Sequence, residues 1–209
     1  MRGATALLAA LIAVAAGGVL AMSGVTAQEK TAKGKAGESP ATAADVKVGY
    51  GAAGLPANVA EMREAILAAA LSGELDELLI PIQWNELPPD LGGKPVKETL
   101  AAWRKQSLDG SGRGMLALLA NVLTAPYAAR RQGADIENAM IYIWPAFAEL
   151  PLDKLSPALE VALLRIVTRE DARRMKQIGR YDGYGVAIGA DGTWHAFKRV
   201  HPVGSRPQN

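Results

Sequence analysis

The sequence predicts an α+β fold: a helix-dominated domain with a small antiparallel sheet built on a C-terminal β-hairpin. Three observations predict it. From residue 58 onward, apolar residues recur at helical spacing in several segments, each bounded by capping or breaking residues. Two β-leaning runs, residues 181–190 and 193–199, are joined by Asp191 and Gly192, a strong short-range hairpin signal. A third β-leaning run, residues 139–144, is apolar on both faces and stopped by Pro145. It supplies the strand the hairpin needs, because an isolated hairpin is marginal in water.

Taken in order, the chain opens with residues 3–28 free of charge, after Arg2 and before Glu29 and Lys30. The run from Leu7 to Leu20 is almost wholly Ala, Leu, Ile and Val, and Val25 and Ala27 stand at −3 and −1 of a small-residue cleavage site. Residues 1–27 are therefore expected to be a signal peptide cut after Ala27, giving a periplasmic or secreted protein. An uncleaved membrane anchor is the alternative, since the window is long enough to span a bilayer. Residues 28–55 are rich in Ala, Gly, Lys, Thr and Pro, with too little apolar surface to offset ordering entropy, and read as a flexible leader.

A single globular domain is expected over residues 56–200. Its first helix takes Asn58 as N-cap, Glu61 as capping-box partner and Gly73 as stop, with Val59, Met62, Ile66, Ala69 and Ala70 on one face. Residues 74–80 read as a short second helix closed by Pro81. Residues 83–93 are irregular, broken by Pro88, Pro89, Gly92 and Gly93. Pro95 starts a helix carrying Val96, Leu100 and Trp103 on one stripe. Residues 109–114 form a loop, and Met115 to Leu123 is the most apolar helix, expected at the centre and ended by Pro126. Residues 127–133 read as a basic turn. Ser156, followed by Pro157, caps one helix. Thr168 caps the next, with Asp171 three residues on and Gly179 past its end. Residues 201–209 read as a disordered tail.

In the hairpin, a two-residue turn at Asp191 and Gly192 sets Ile188 against His195 and Val186 against Phe197. It puts Tyr184, Val186, Ile188, His195 and Phe197 on one face, with Trp194 lying over Gly185, Ala187, Gly189 and Ala196 on the other. A three-residue loop with a left-handed Gly192 is the alternative register and exchanges the faces.

Composition excludes several function classes. The chain has no cysteine, which removes disulfides, thiolate catalysis, Cys-based metal sites and a lipid-modified N-terminal Cys. Its net charge of +2, with bases and acids interspersed, predicts no nucleic-acid partner. No catalytic motif, metal set or cofactor motif is assembled in the sequence. Oligomeric state has no signature in it either.

The candidate ligand-binding residues are Trp84, Arg113, Tyr142, Tyr184 and His195. Trp84 stands in the Pro-rich loop beside Asn85 and Glu86, a setting for stacking on sugars or peptides. Arg113 lies in a Gly-Ser-Gly-Arg-Gly segment before a helix, where an anion is attracted. Arg130 and Arg131 offer a carboxylate or phosphate clamp. Tyr142 and Tyr184 would line a pocket between sheet and helices. His195 reads as a half-buried, hydrogen-bonded histidine on the face it shares with Val186 and Phe197. Glu149, Asp153 and Asp182 are the nearest approach to a carboxylate pair for hydrolysis.

The segment from Glu61 to Leu79 resembles the opening helix pair of nuclear-transport-factor-2-like domains. Residues 141–152 together with 189–197 are similar to a family of exported alphaproteobacterial proteins with no known activity. That resemblance implies an envelope location and transfers no functional residue. The sequence thus points to an exported non-enzymatic module that binds an envelope protein or peptidoglycan, without stable membrane insertion once the signal is removed. A small-ligand-binding domain, and a cell-wall or ester hydrolase using the acidic residues or His195, are the alternatives.

Overall fold

The computed structural model describes residues 46–132 and 140–200, which belong to one compact unit spanning residues 40–209. The expected signal peptide, most of the expected leader, Ala139 and the tail with His201 lie outside the described residues. The described residues form an α+β domain with a five-stranded sheet in the order β1-β2-β3-β4-β5, every neighbouring pair antiparallel. The strands are β1 (Lys47–Gly49), β2 (Tyr127–Arg131), β3 (Met140–Trp144), β4 (Tyr184–Gly189) and β5 (Trp194–Arg199). Helices α1 (Ala57–Leu71), α2 (Leu79–Gln83), α3 (Val96–Gln106) and α4 (Arg113–Thr124) intervene between β1 and β2; α5 (Pro157–Ile166) and α6 (Arg169–Ile178) intervene between β3 and β4.

The expected third strand is present, and β3 lies beside β4 as the apolar run of residues 139–144 required. Two strands correct the sequence reading. Lys47–Gly49, assigned to the leader, pairs with β2, so the folded region begins before residue 56. Tyr127–Arg131, read as a basic turn, is β2. Its pairing with β1 depends on Gly49, where a Cβ would stand 2.2 Å from the Tyr127 ring. The Tyr127 hydroxyl then donates to the Ala53 carbonyl at 3.1 Å, closing the chain over the ring.

Alternation along the strands sends Tyr127, Ala129, Tyr142, Trp144, Val186, Ile188, Trp194 and Phe197 into one core. Against them pack Val59, Met62 and Ile66 of α1, Leu100 and Trp103 of α3, and Leu116, Leu119 and Leu123 of α4. Helix α4 is central as expected, contacting both α1 and β4. Trp103 meets Phe197 edge to face at 5.8 Å between ring centroids, a favoured aromatic geometry. A second cluster, Phe147, Leu152, Leu163, Met175 and Tyr181, gathers around α5 and α6.

Local capping behaves as the sequence predicts in the C-terminal half. Ser156 Oγ accepts from the Leu159 N–H, and Thr168 Oγ1 accepts from the Asp171 N–H at 3.1 Å while donating to its carboxylate. Gly179, at φ +73°, ends α6. The N-terminal half departs from it. Helix α1 starts at Ala57 after Pro56, whose carbonyl accepts from the Ala60 N–H at 2.9 Å, so neither Asn58 nor Glu61 is a cap. The fixed φ of Pro56 presets the entry that a polar cap would otherwise provide. Pro81 does not close a helix. It sits in the first turn of α2, where its missing N–H leaves no hydrogen bond unmade.

The hairpin uses both registers in succession. Gly192 N–H donates to the Gly189 carbonyl and Gly189 N–H to the Thr193 carbonyl, both at 2.9 Å, with Gly192 at φ +90°. That is the three-residue loop. It sets Ile188 against Trp194 rather than His195. A β-bulge then leaves His195 as the extra residue and restores the other register, so that Val186 faces Phe197 as expected. The loop pairing puts Trp194 in the core, where it is fully buried, the bulge brings Phe197 back to the same face, and His195 is left exposed, reversing the predicted sides of Trp194 and His195.

Candidate functional site

The loop after α2 cannot form regular structure, and it is held instead by its own polar side chains. The Asn85 carboxamide donates to the Trp194 carbonyl and accepts from the Trp194 N–H, both at 3.1 Å, imitating a strand partner at the free edge of β5. Further on, the Asp90 N–H donates to the His195 carbonyl and the Phe197 N–H to the Asp90 carbonyl, both at 2.9 Å. The Asp90 carboxylate accepts from the N–H groups of Gly92 and Gly93 and pairs with Lys198 Nζ at 2.5 Å. The edge strand is thereby covered from Trp194 to Phe197.

This clamp anchors the chain next to Trp84, whose side chain is left largely in solvent. Trp84 is 53% exposed, whereas Trp103, Trp144 and Trp194 are at most 6% exposed. Its indole forms one wall of a cleft of about 460 Å³. Asn58, Glu61 and Met62 on α1 form a second wall, and Asp191, Gly192 and Thr193 of the hairpin turn form a third. Glu86 completes the rim. The third wall approaches α1 closely because residue 192 is glycine: a Cβ there would stand 3.0 Å from the Asn58 carbonyl oxygen.

Electrostatics in the cleft are one-sided. Glu61, Glu86 and Asp191 contribute carboxylates, and no Lys or Arg is among the described residues that line it. Burial pushes the Asp191 carboxyl up, but hydrogen bonds from the Thr193 N–H and hydroxyl, both at 2.9 Å, and the nearby His195 outweigh it. Asp191 is held below its ordinary value and is ionised at neutral pH.

Other predicted site residues are placed elsewhere. Arg113 is not an open anion site: Nε donates to the Gly73 carbonyl at 3.2 Å, and Nη2 and Nη1 lie 3.5 and 3.7 Å from Glu74 and Asp109. Arg130 pairs with Glu149 at 2.8 Å, which occupies both the proposed clamp and one of the proposed catalytic carboxylates. Asp182 is buried and bound to Arg174, whose guanidinium also meets Asp171 at 2.9 Å. Asp153 lies in a separate 3₁₀ turn, Leu152–Lys154. Tyr142 and Tyr184 share the helix-covered face but not a pocket. Tyr142 lines an open depression of about 340 Å³ with Tyr127 and Met140, while Tyr184 packs on Phe197 at 5.3 Å beneath the Arg199 guanidinium. His195 lies with Asp191 over Gly189 in a depression of about 400 Å³ that also includes Met140 and Ile141. Among the described residues, no three His, Cys, Asp or Glu side chains converge to hold a metal.

No family model, curated protein or solved structure matches the chain.

The chemistry of the cleft therefore rests on its own residues. Of these, Trp84 was legible in sequence from its setting between breakers and beside Asn85 and Glu86. Asn58 and Glu61 were read as helix-capping residues, and Asp191 and Thr193 as turn residues. Nothing local in the sequence brings α1, the loop and the hairpin turn to one place.

Proposed function

We propose that this protein is an exported, non-enzymatic binding module of the cell envelope, and that the Trp84 cleft holds its ligand, a unit of peptidoglycan. The observation that carries the reading is the half-exposed indole of Trp84, held by the Asn85 clamp at the wall of an otherwise polar cleft. Covering a large apolar ring removes it from water, and a loop anchored beside it in advance spends less entropy on ordering when it is covered. Indole offers a flat apolar face to a sugar ring or a peptide segment, while Asn58, Glu61, Glu86 and Thr193 offer hydrogen-bonding groups around it. The cleft volume lies in the range of small-ligand sites. Export is supported by the uncharged run of residues 3–28 and the small residues Val25 and Ala27. A hydrolytic reading loses support because Glu149 and Asp182 are committed to Arg130 and Arg174.

The test is sedimentation with purified peptidoglycan sacculi, comparing the wild-type chain with Trp84→Ala. Wild type is expected in the pellet and the variant in the supernatant, with both showing the same far-UV spectrum. Equal sedimentation of the two would remove the cleft from the reading, and no sedimentation of wild type would remove peptidoglycan.

A second reading has one observation in its favour. The depression beside β1, lined by Tyr127, Met140 and Tyr142, is of a size for a small apolar ligand. Saturable binding of such a compound, lost in Tyr142→Ala but kept in Trp84→Ala, would favour it.

A further inference from the structure

We infer that the Trp84 cleft recognises a group bearing a free ammonium, and that acetylation of that nitrogen weakens binding. The inference rests on the proposed role of the cleft and narrows its ligand.

The cleft offers an aromatic face and carboxylate acceptors together. Glu61 of α1 and Glu86 of the clamped loop line the cleft with Trp84, and Asp191 of the hairpin turn lines it too, its carboxylate bonded to Thr193 and lying over Gly189 beside His195. For Glu61 and Glu86 no cationic partner is found among the described residues, in contrast to Asp76, Glu74 and Glu149, which meet Arg104, Arg113 and Arg130. His195 lies beside the Asp191 carboxylate in the neighbouring depression over Gly189 and is not among the residues lining the Trp84 cleft. A neutral sugar needs the stacking face and a mixture of donors and acceptors. Its hydroxyls can donate to a carboxylate, but it brings no charge to offset carboxylates that repel one another. An ammonium uses all of these features: it is attracted to the indole face and donates up to three hydrogen bonds to surrounding oxygens. Acetylation removes its charge and two of its N–H donors while adding bulk.

Such a group occurs on an amino sugar whose nitrogen is unacetylated and on the side chain of a diamino acid in a peptide. Both present the same chemistry to the cleft, and the probes separate them. Because Trp84 alone among the four tryptophans is substantially exposed, its emission reports occupancy of the cleft. The experiment titrates the full chain with glucosamine disaccharide and its N-acetylated form, and with lysine amide and Nε-acetyl-lysine amide.

The expected result is a saturable change in Trp84 emission with at least one free amine, and at least about fivefold weaker binding of its acetylated form. Glu61→Gln and Glu86→Gln are each expected to weaken the amine about two- to fivefold, and raising the salt to weaken it further. Response to the sugar pair alone assigns the amino sugar; response to the lysine pair alone assigns the peptide. Equal binding of free and acetylated forms, lost in Trp84→Ala, would overturn the ammonium inference and leave the cleft as a binding site. No response to any probe, with sacculus binding unchanged in Trp84→Ala, would overturn both.

Discussion

Asn85 and Trp194 are 109 residues apart in sequence, yet the side chain of one forms two hydrogen bonds with the backbone of the other. A carboxamide carries a donor and an acceptor spaced like those of a peptide group, so a single side chain serves as one residue of a missing strand. The pairing ties the loop bearing Trp84 to the hairpin turn bearing Asp191, and these are two walls of the cleft.

Replacing Asn85 with Ala is expected to remove both bonds and leave the Trp194 N–H and C=O to compete for what water can reach them. The cost should be about 1–3 kcal/mol, measured as a lower urea midpoint with unchanged slope. The same variant should show lower Trp84 anisotropy and weaker ligand binding. Asn85→Asp keeps the acceptor but sets a carboxylate oxygen against the Trp194 carbonyl, and should be no more stable than the Ala variant at neutral pH.

Arg63 is buried in α1, and its guanidinium donates from Nε and Nη2 to the Leu123 carbonyl at 3.2 and 2.8 Å. It thereby caps the C-terminal end of α4 from another helix and places positive charge where the helix dipole favours it. Arg63→Met keeps much of the volume but strips the donors, and should cost about 1.5–3 kcal/mol. Arg63→Lys should not restore it, since one ammonium cannot reproduce the two-pronged contact. Chemical denaturation of the two variants decides the point.

Acid should destabilise the domain partly through the loop. Hydrogen bonding from Lys198, then from the Gly92 N–H, holds the Asp90 carboxyl below its ordinary value. A carboxyl depressed in the folded state contributes stability above its unfolded value near pH 4 and loses it as pH falls through the folded value. Asp171, lowered chiefly by Arg174, acts in the same direction. Stability should therefore decline below about pH 4. Lys198→Met should weaken that decline, because Asp90 then titrates nearer its unfolded value. The pair is well exposed, so the effect at neutral pH should be small. Urea midpoints between pH 2.5 and 7 measure both.

Much of the C-terminal half was legible because its signals are local. Ser156 with Pro157, and Thr168 with Asp171, satisfy N–H groups within one turn, and Gly179 accepts a left-handed backbone at its own position. β3 was legible from an unbroken apolar run, and the hairpin from Asp191 and Gly192. β2 was not: its Tyr-Ala-Ala-Arg-Arg sequence carries two arginines, and only the burial of Tyr127 and Ala129 in the core beside β3 makes it a strand. β1 depends likewise on Gly49 admitting the Tyr127 ring.

The sequence by itself determined the α+β class, the helix-rich order, the C-terminal hairpin and the caps of α5 and α6, because each follows from periodicity or from bonds within a few residues. Tertiary structure alone decided the register of β5. Its loop follows one pairing and its far end another, and the bulge at His195 reconciles them so that both Trp194 and Phe197 enter the core. It also decided the cleft, whose walls come from residues 58–62, 84–86 and 191–193. Burial of a large ring and pairing across distant segments are gains that exist only once those segments meet. No stretch of the chain carries them in advance.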